Sequence, residues 1–181
     1  SLLRMAPSDE WKQAAWMLLA RGLRARDRRA EAIEALEKAL ACPARTRFGA
    51  EAALRLGEMR LEDGDAAAAE EPLREAATRA ATPELQDIRA TAYAALAQAA
   101  ERRGDQEAAV RYYMSVAILF DDATLVPPAL ARAATLLAEL ERLEESRAAT
   151  AELQQRYPDS PEALRRRSPT SGAANPGEAA P

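Results

Sequence analysis

The chain has 181 residues, 48% of them hydrophobic but only 4% aromatic, and a net charge of −4. It contains no histidine and a single cysteine, Cys42. That excludes Ser-His-Asp and Cys-His nucleophile systems, histidine metal sites and histidine proton shuttles, and the mild acidity exerts no general pull toward nucleic acid or anionic membrane.

Cys42 cannot form an internal disulfide, and the scattered glycines make no phosphate-cradling loop. No run is long enough to span a membrane, and no signal peptide is visible. Alanine dominates, and β-branched alternation is nearly absent, so the chain is expected to be all-α.

Residues 1–7 come first. Leu2, Leu3, Met5 and Pro7 resemble the end of a helix pair, as Leu40 and Pro43 end the next, so the chain is expected to start inside a repeat of a longer solenoid. The first full pair spans 8–43. Ser8 is a plausible N-cap ahead of Asp9, Glu10 and Trp11, and Asp27 is expected to cap a second helix with the stripe Ala32, Ile33, Leu36, Ala39 and Leu40. The second pair spans 44–81 and turns at Gly64-Asp65, a glycine past one helix followed by an N-cap for the next. Pro72 lies inside its second helix, where it costs roughly 3 kcal/mol. A kink, or a restart at Glu70 to Pro72, is expected there, from sequence drift on an outer helix or for a functional bend.

The third pair spans 82–122. It opens on Thr82-Pro83-Glu84, read as an N-cap with proline at the first helical position, and turns at Gly104-Asp105. The fourth spans 123–158, starting near Pro127 or Pro128, turning around Glu141 to Glu144 and closing at Tyr157-Pro158. Ser160-Pro161-Glu162 opens a short helix over 160–167. Residues 168–181 are small, polar or proline and are expected to be disordered.

The pairs are phased. Ala32, Ala69, Ala109 and Ser146 recur in steps of 37, 40 and 37 residues, each followed four positions on by Leu36, Leu73, Tyr113 or Thr150. Such a period marks a helical solenoid, whose pairs bury their apolar stripes only by stacking.

The phased residues resemble the tetratricopeptide repeat (TPR), whose pattern is Trp-x2-Leu-Gly-x2-Tyr, then Ala, a bulky residue, Ala and Pro. Trp16, Leu19, Ala20, Leu23, Ala32, Leu36 and Ala39 carry it in repeat one. Repeat two has Ala53, Leu56, Gly57, Arg60, Ala69, Leu73 and Ala76, and repeat three Tyr93, Leu96, Ala97, Ala100, Ala109, Tyr113 and Val116. Repeat four is the weakest, with Leu130, Ala133, Ala134, Leu137, Ser146, Thr150, Leu153 and Pro158. The spacings exceed the family's usual one, and Arg60 fills a slot meant for a large apolar side chain. The resemblance implies a right-handed α-α superhelix of about four TPR-like pairs with a short C-terminal helix. The ending Arg156 to Ser160 is similar to that of TPR proteins of the bacterial cell envelope, which leaves the location open between bacterial cytoplasm and periplasm or envelope, inclining to the latter.

The resemblance also implies a concave groove lined by the first helix of each pair. Carried over by position, its residues are Met17, Arg21 and Arg24; Leu54, Glu58, Leu61 and Glu62; Thr91, Ala94, Gln98 and Arg102; and Ala131, Thr135 and Glu139. The Lys and Asn clamp of the chaperone-binding branch is missing from these positions. The groove would be basic at one end and acidic in the middle, suiting an extended or helical peptide of mixed charge, or it would be a solvated face without a ligand.

Tyr112 to Phe120 is the most apolar stretch, with Tyr112 and Leu119 expected outward, either as a binding patch or packed against the fourth pair. Arg21, Arg24, Arg26, Arg28 and Arg29 form a basic corner and Arg165 to Arg167 a second, without the aromatic platform of a nucleic-acid site. Glu70-Glu71 and Glu144-Glu145 lack a dry cleft for acid–base work. The expectation is a non-catalytic protein–protein interaction scaffold without cofactor or metal, binding a protein or peptide. The alternative is a structural or oligomerisation segment of a larger envelope protein, with self-association through Tyr112 and Leu119.

Overall fold

A computed structural model of the chain describes residues 8–167. The expectations for residues 1–7 and 168–181 lie outside that range.

Four antiparallel helix pairs follow one another: α1 (Asp9–Arg24) with α2 (Arg29–Ala41), α3 (Arg47–Glu62) with α4 (Ala66–Arg79), α5 (Gln86–Arg102) with α6 (Gln106–Leu119), and α7 (Val126–Glu139) with α8 (Leu143–Arg156). A last helix, α9 (Pro161–Arg167), lies against α7 and α8. Among the described residues there is no strand, and no helix is long and apolar enough to cross a membrane. Packing is sequential: each first helix touches its own partner, and α3, α5 and α7 also touch the outer helix of the pair before. The result is a TPR-like helical solenoid.

The turns within pairs share one backbone form. Asp27, Gly64, Gly104 and Glu141 all have positive φ, at 59°, 81°, 77° and 61°. In each, the next residue donates its N–H five positions back: Arg28 to Leu23, Asp65 to Arg60, Asp105 to Ala100 and Arg142 to Leu137. This is the Schellman ending, which satisfies carbonyls left open by the first helix. Asp65 and Asp105 then cap the next helix by accepting the N–H of Ala68 and Ala108, each at 2.9 Å. Asp27 was expected to cap α2 and does not. It takes the left-handed position itself, so Arg28 becomes the N-cap, without a side-chain bond. Ser8 does cap α1, accepting Trp11 N–H at 3.3 Å.

Two further expectations are corrected. Thr82-Pro83-Glu84 leads into a short 3₁₀ turn over Pro83–Leu85, and the α-helix starts only at Gln86. The helix α4 does not restart near Pro72 but runs unbroken through it. The buried stripe Ala69, Leu73 and Ala76 holds it on either side of the missing bond. Ahead of α7, Asp122 accepts the N–H groups of Thr124 and Leu125, and Pro127 and Pro128 fall in the first turn, where a missing N–H costs nothing.

The core is a chain of small residues filled by large ones. A Cβ added at Gly57 would lie 2.5 Å from Leu73, so α3 and α4 touch there. Gln13 is the one buried polar side chain among the described residues. Its amide donates to the carbonyls of Ala39 (3.1 Å) and Ala44 (3.0 Å) and accepts the Thr46 hydroxyl (2.6 Å), tying α1 to the link between pairs.

Candidate binding groove

The first helices α1, α3 and α5 bring most of the expected groove residues together. Arg24, Glu58, Leu61, Glu62, Thr91, Ala94, Gln98 and Arg102 line one cavity of about 360 Å³, with Arg55 and Leu125 at its margins. A second hollow of about 470 Å³ adjoins it between α1 and α3, lined by Arg21, Arg24 and Arg55 over Met17, Leu36 and Met59. Ala131 and Thr135 lie apart, at the far end beneath Arg165 and Arg166.

Not every expected residue presents its side chain. Met17 is fully buried, and Leu54 and Leu61 nearly so. Met17 packs with Leu36, Leu56 and Met59, and Leu54 and Leu61 with Leu73 and Leu96. They form the floor of the groove, because a helix wedged between two neighbours buries more than half its circumference. Met17, Arg21 and Arg24, like Leu54, Glu58 and Leu61, share one helical stripe, so residue type and not periodicity separates floor from rim.

The charges of the groove pair across it. Arg21 of α1 meets Glu51 of α3 at 2.5 Å, and Arg24 meets Glu62 at 3.0 Å. Arg55 holds Glu58 at 2.6 Å along α3, and Arg47 reaches Asp87 of α5 at 2.5 Å. Arg102 donates to the Leu61 carbonyl. The groove therefore carries both signs in alternation rather than a basic end and an acidic middle. Glu51, Arg55 and Arg47, absent from the expected set, are part of it; Glu51 lies one turn from Leu54, Arg55 one turn from Glu58 and Arg47 one turn before Glu51, which was readable.

The basic corner is tied down too. Arg29 lies 2.8 Å from Glu62 and 2.7 Å from Asp63, and bonds to these two carboxylates raise its pKa. Arg28 pairs with Glu31. In the second corner, Arg166 donates to Ala131 O (2.6 Å) and the Thr135 hydroxyl (2.7 Å), fixing α9 to α7.

The outer patch differs from expectation. Tyr112 is half-buried: its ring lies 6.3 Å from that of Tyr93, and it packs against two core clusters. Leu119 is exposed, and the more exposed residue beside it is Ile118. Ile118 occupies the place of Ala41 and Thr78 in the earlier pairs, a polar or small position that marks an outward site.

A third hollow, of about 550 Å³, was not expected. Trp11, Leu18 and Phe48 line it with Ala14, Ala15 and Arg47.

No family model matches the chain, and no curated protein matches it in sequence. Solved structures do match its fold. One is YrrB, described as a TPR protein with an unusual peptide-binding site: 13% identity, TM-score 0.61, covering 79% of this chain and 68% of that one. Another is PilF of Pseudomonas aeruginosa: 18% identity, TM-score 0.51, covering 88% of this chain and 81% of that one. At these identities the likeness is one of fold, and it supports the TPR-like assignment.

Proposed function

We propose that the chain is a non-catalytic protein-interaction scaffold that holds a partner protein or peptide in the groove of α1, α3 and α5. The observation that carries this is the cavity where Arg24, Glu58, Glu62, Gln98 and Arg102 converge over an apolar floor. Ladders of both signs favour an extended or helical segment with alternating charge, which would exchange intramolecular pairs such as Arg24–Glu62 for pairs of its own. The likeness to YrrB, whose description includes a peptide-binding site, supports the same reading.

The test is a pull-down from source-cell extract with the chain as bait beside the Arg21→Glu/Glu58→Lys variant. The variant should fold, since exposed pairs contribute only about 0–1 kcal/mol, and it should lose a partner that the wild type retains. Retention of every specific partner by the variant would overturn the groove reading.

A second reading is a structural or assembly segment of a larger bacterial envelope protein. The exposed Ile118–Leu119 edge of α6 favours it. In that case Leu119→Asp, and not the groove variant, abolishes association.

A further inference from the structure

The helix α1 is apolar on both sides. Its core side buries Met17, Ala20 and Leu23, while its opposite side exposes Trp11, Ala15, Leu18, Leu19 and Gly22. The helix thus carries a second apolar stripe beside its core stripe, with its charged residues, among them Arg21 and Arg24, on the remaining surface.

The repeat shows what that second side is for. Leu19 recurs as Leu56, Leu96 and Ala133, in the same steps that phase the rest of the chain. Leu19 is 46% exposed, whereas those three are 6%, 2% and 0% exposed. Ala15 recurs as Ala52, Ala92 and Ala129, and Gly22 as Met59, Ala99 and Leu136; all six counterparts are buried. In α3 these positions are covered from the preceding pair: Ala52, Leu56 and Met59 share a cluster with Leu36 and Ala39 of α2 and with Met17 and Ala20 of α1. The face of α1 is thus the same stacking face, left exposed among the described residues.

At the other end of the described residues α7 and α8 do have a neighbour. The helix α9 lies over α7 and α8, buries Ala163, bonds through Arg166 and turns Arg165 and Arg167 to solvent.

We propose that the Ala15–Leu19–Gly22 face stacks against one further helix pair of the same kind, carried by the same polypeptide. Its second helix lays a leucine/alanine stripe on α1 as α2 lays Leu36 and Ala39 on α3. The occupant is a stacked helix pair rather than a second copy, because the face continues the α2–α3, α4–α5 and α6–α7 interfaces and matches them position by position.

The test uses the polypeptide of the intact gene in a Cys42→Ala background, with Leu19→Cys, Ala15→Cys and, as a fully accessible reference, Glu144→Cys. Maleimide labelling rates and the mass in solution are measured together. The expected result is a single-chain mass with both α1 cysteines labelling at least about tenfold more slowly than the reference, as a site that reacts only through local opening does. Labelling at the reference rate overturns the proposal. So does slow labelling with a two-chain mass, which assigns the face to a second copy. Slow labelling with a different polypeptide bound overturns it too, since the cover then comes from another protein.

Discussion

Arg79 and Arg156 occupy the same position two repeats apart and make the same bonds. Each ends an outer helix and reaches one carbonyl in the last turn of the outer helix before it and one just beyond that helix. Arg79 donates to Leu40 (3.4 Å) and Ala44 (3.5 Å), and Arg156 to Ala117 (2.8 Å) and Phe120 (3.4 Å). Each is steadied by a glutamate one turn earlier, Glu75 at 2.5 Å and Glu152 at 2.6 Å. Guanidinium groups at helix C-termini satisfy open carbonyls and oppose the negative end of the helix dipole. In the third pair the equivalent position holds Leu119, exposed.

Arg156→Leu is therefore expected to destabilise the chain by about 1–2 kcal/mol, read as a shift in the denaturant midpoint. Leu119→Arg is expected to do the reverse, gaining up to about 1 kcal/mol by placing the same link over the end of α4. A Leu119→Arg variant less stable than wild type would show that the quasi-equivalence of these sites stops at the backbone.

The four within-pair turns make a matched set for a second experiment. Asp27 and Glu141 sit in the left-handed region at φ 59° and 61°, where a Cβ costs about 1–2 kcal/mol and glycine does not. Asp27→Gly and Glu141→Gly are each expected to stabilise by about 0.5–1 kcal/mol after the extra entropy of glycine is subtracted. Gly64→Ala and Gly104→Ala should destabilise by a similar amount, since open space surrounds both sites and only the backbone angle is at stake. Thermal melts of the four single variants check the signs.

Much of this fold was legible in the sequence because the signals repeat. Gly64-Asp65 and Gly104-Asp105 announce a turn by residue type. Asp27 and Glu141 occupy the same turn without the glycine, and so Asp27 reads as a cap when only its neighbours are considered. Pro72 argued for a kink or a restart; the restart does not occur, because propensity is local and the buried stripe around Pro72 is not. In the groove, position alone separated α1, α3 and α5 from the outer helices. It could not tell Arg24, which pairs with Glu62 in the open, from Met17, which is buried two turns earlier on the same face of α1. That distinction depends on how deeply each helix is wedged. The exposed side of α1 was legible only by comparison: Leu19 fits the pattern as well as Leu56 does, and the pattern does not distinguish an exposed copy of the position from a buried one.

Contacts between the helices of a pair, and between pairs, are tight enough to be tested by one methyl group. Gly57→Ala would drive a Cβ to 2.5 Å from Leu73, a fully buried side chain. Overpacking of this kind costs about 1–3 kcal/mol. Gln13→Leu is expected to cost a similar amount by a different route: the fully buried amide is lost, the Thr46 hydroxyl loses its acceptor, and the carbonyls of Ala39 and Ala44 keep only the longer bonds from Cys42 N–H (3.3 Å) and Arg79 (3.5 Å). Urea unfolding of both variants measures the two costs. A neutral Gln13→Leu would mean that water reaches the link between the first two pairs.

Glu101, at the end of α5, ties the third pair to the fourth. It accepts Arg132 Nε at 2.9 Å and the Tyr113 hydroxyl at 3.2 Å. The bond from Arg132 holds the Glu101 carboxyl below the usual glutamate range, against the opposing effect of partial burial. The folded state therefore holds this proton less tightly than the unfolded chain does. The stabilisation is fully present above the unfolded value and is lost as pH falls through the lowered, folded value. Asp87 and Asp122 are lowered as well and act in the same direction, so the measurement is a difference. Unfolding free energy should fall on acidification in both proteins, but with a shallower slope in Glu101→Gln, and the two curves should converge once the pH lies below the folded value of Glu101. Parallel curves for the two proteins across that range would mean that Arg132 and Glu101 are not paired in solution.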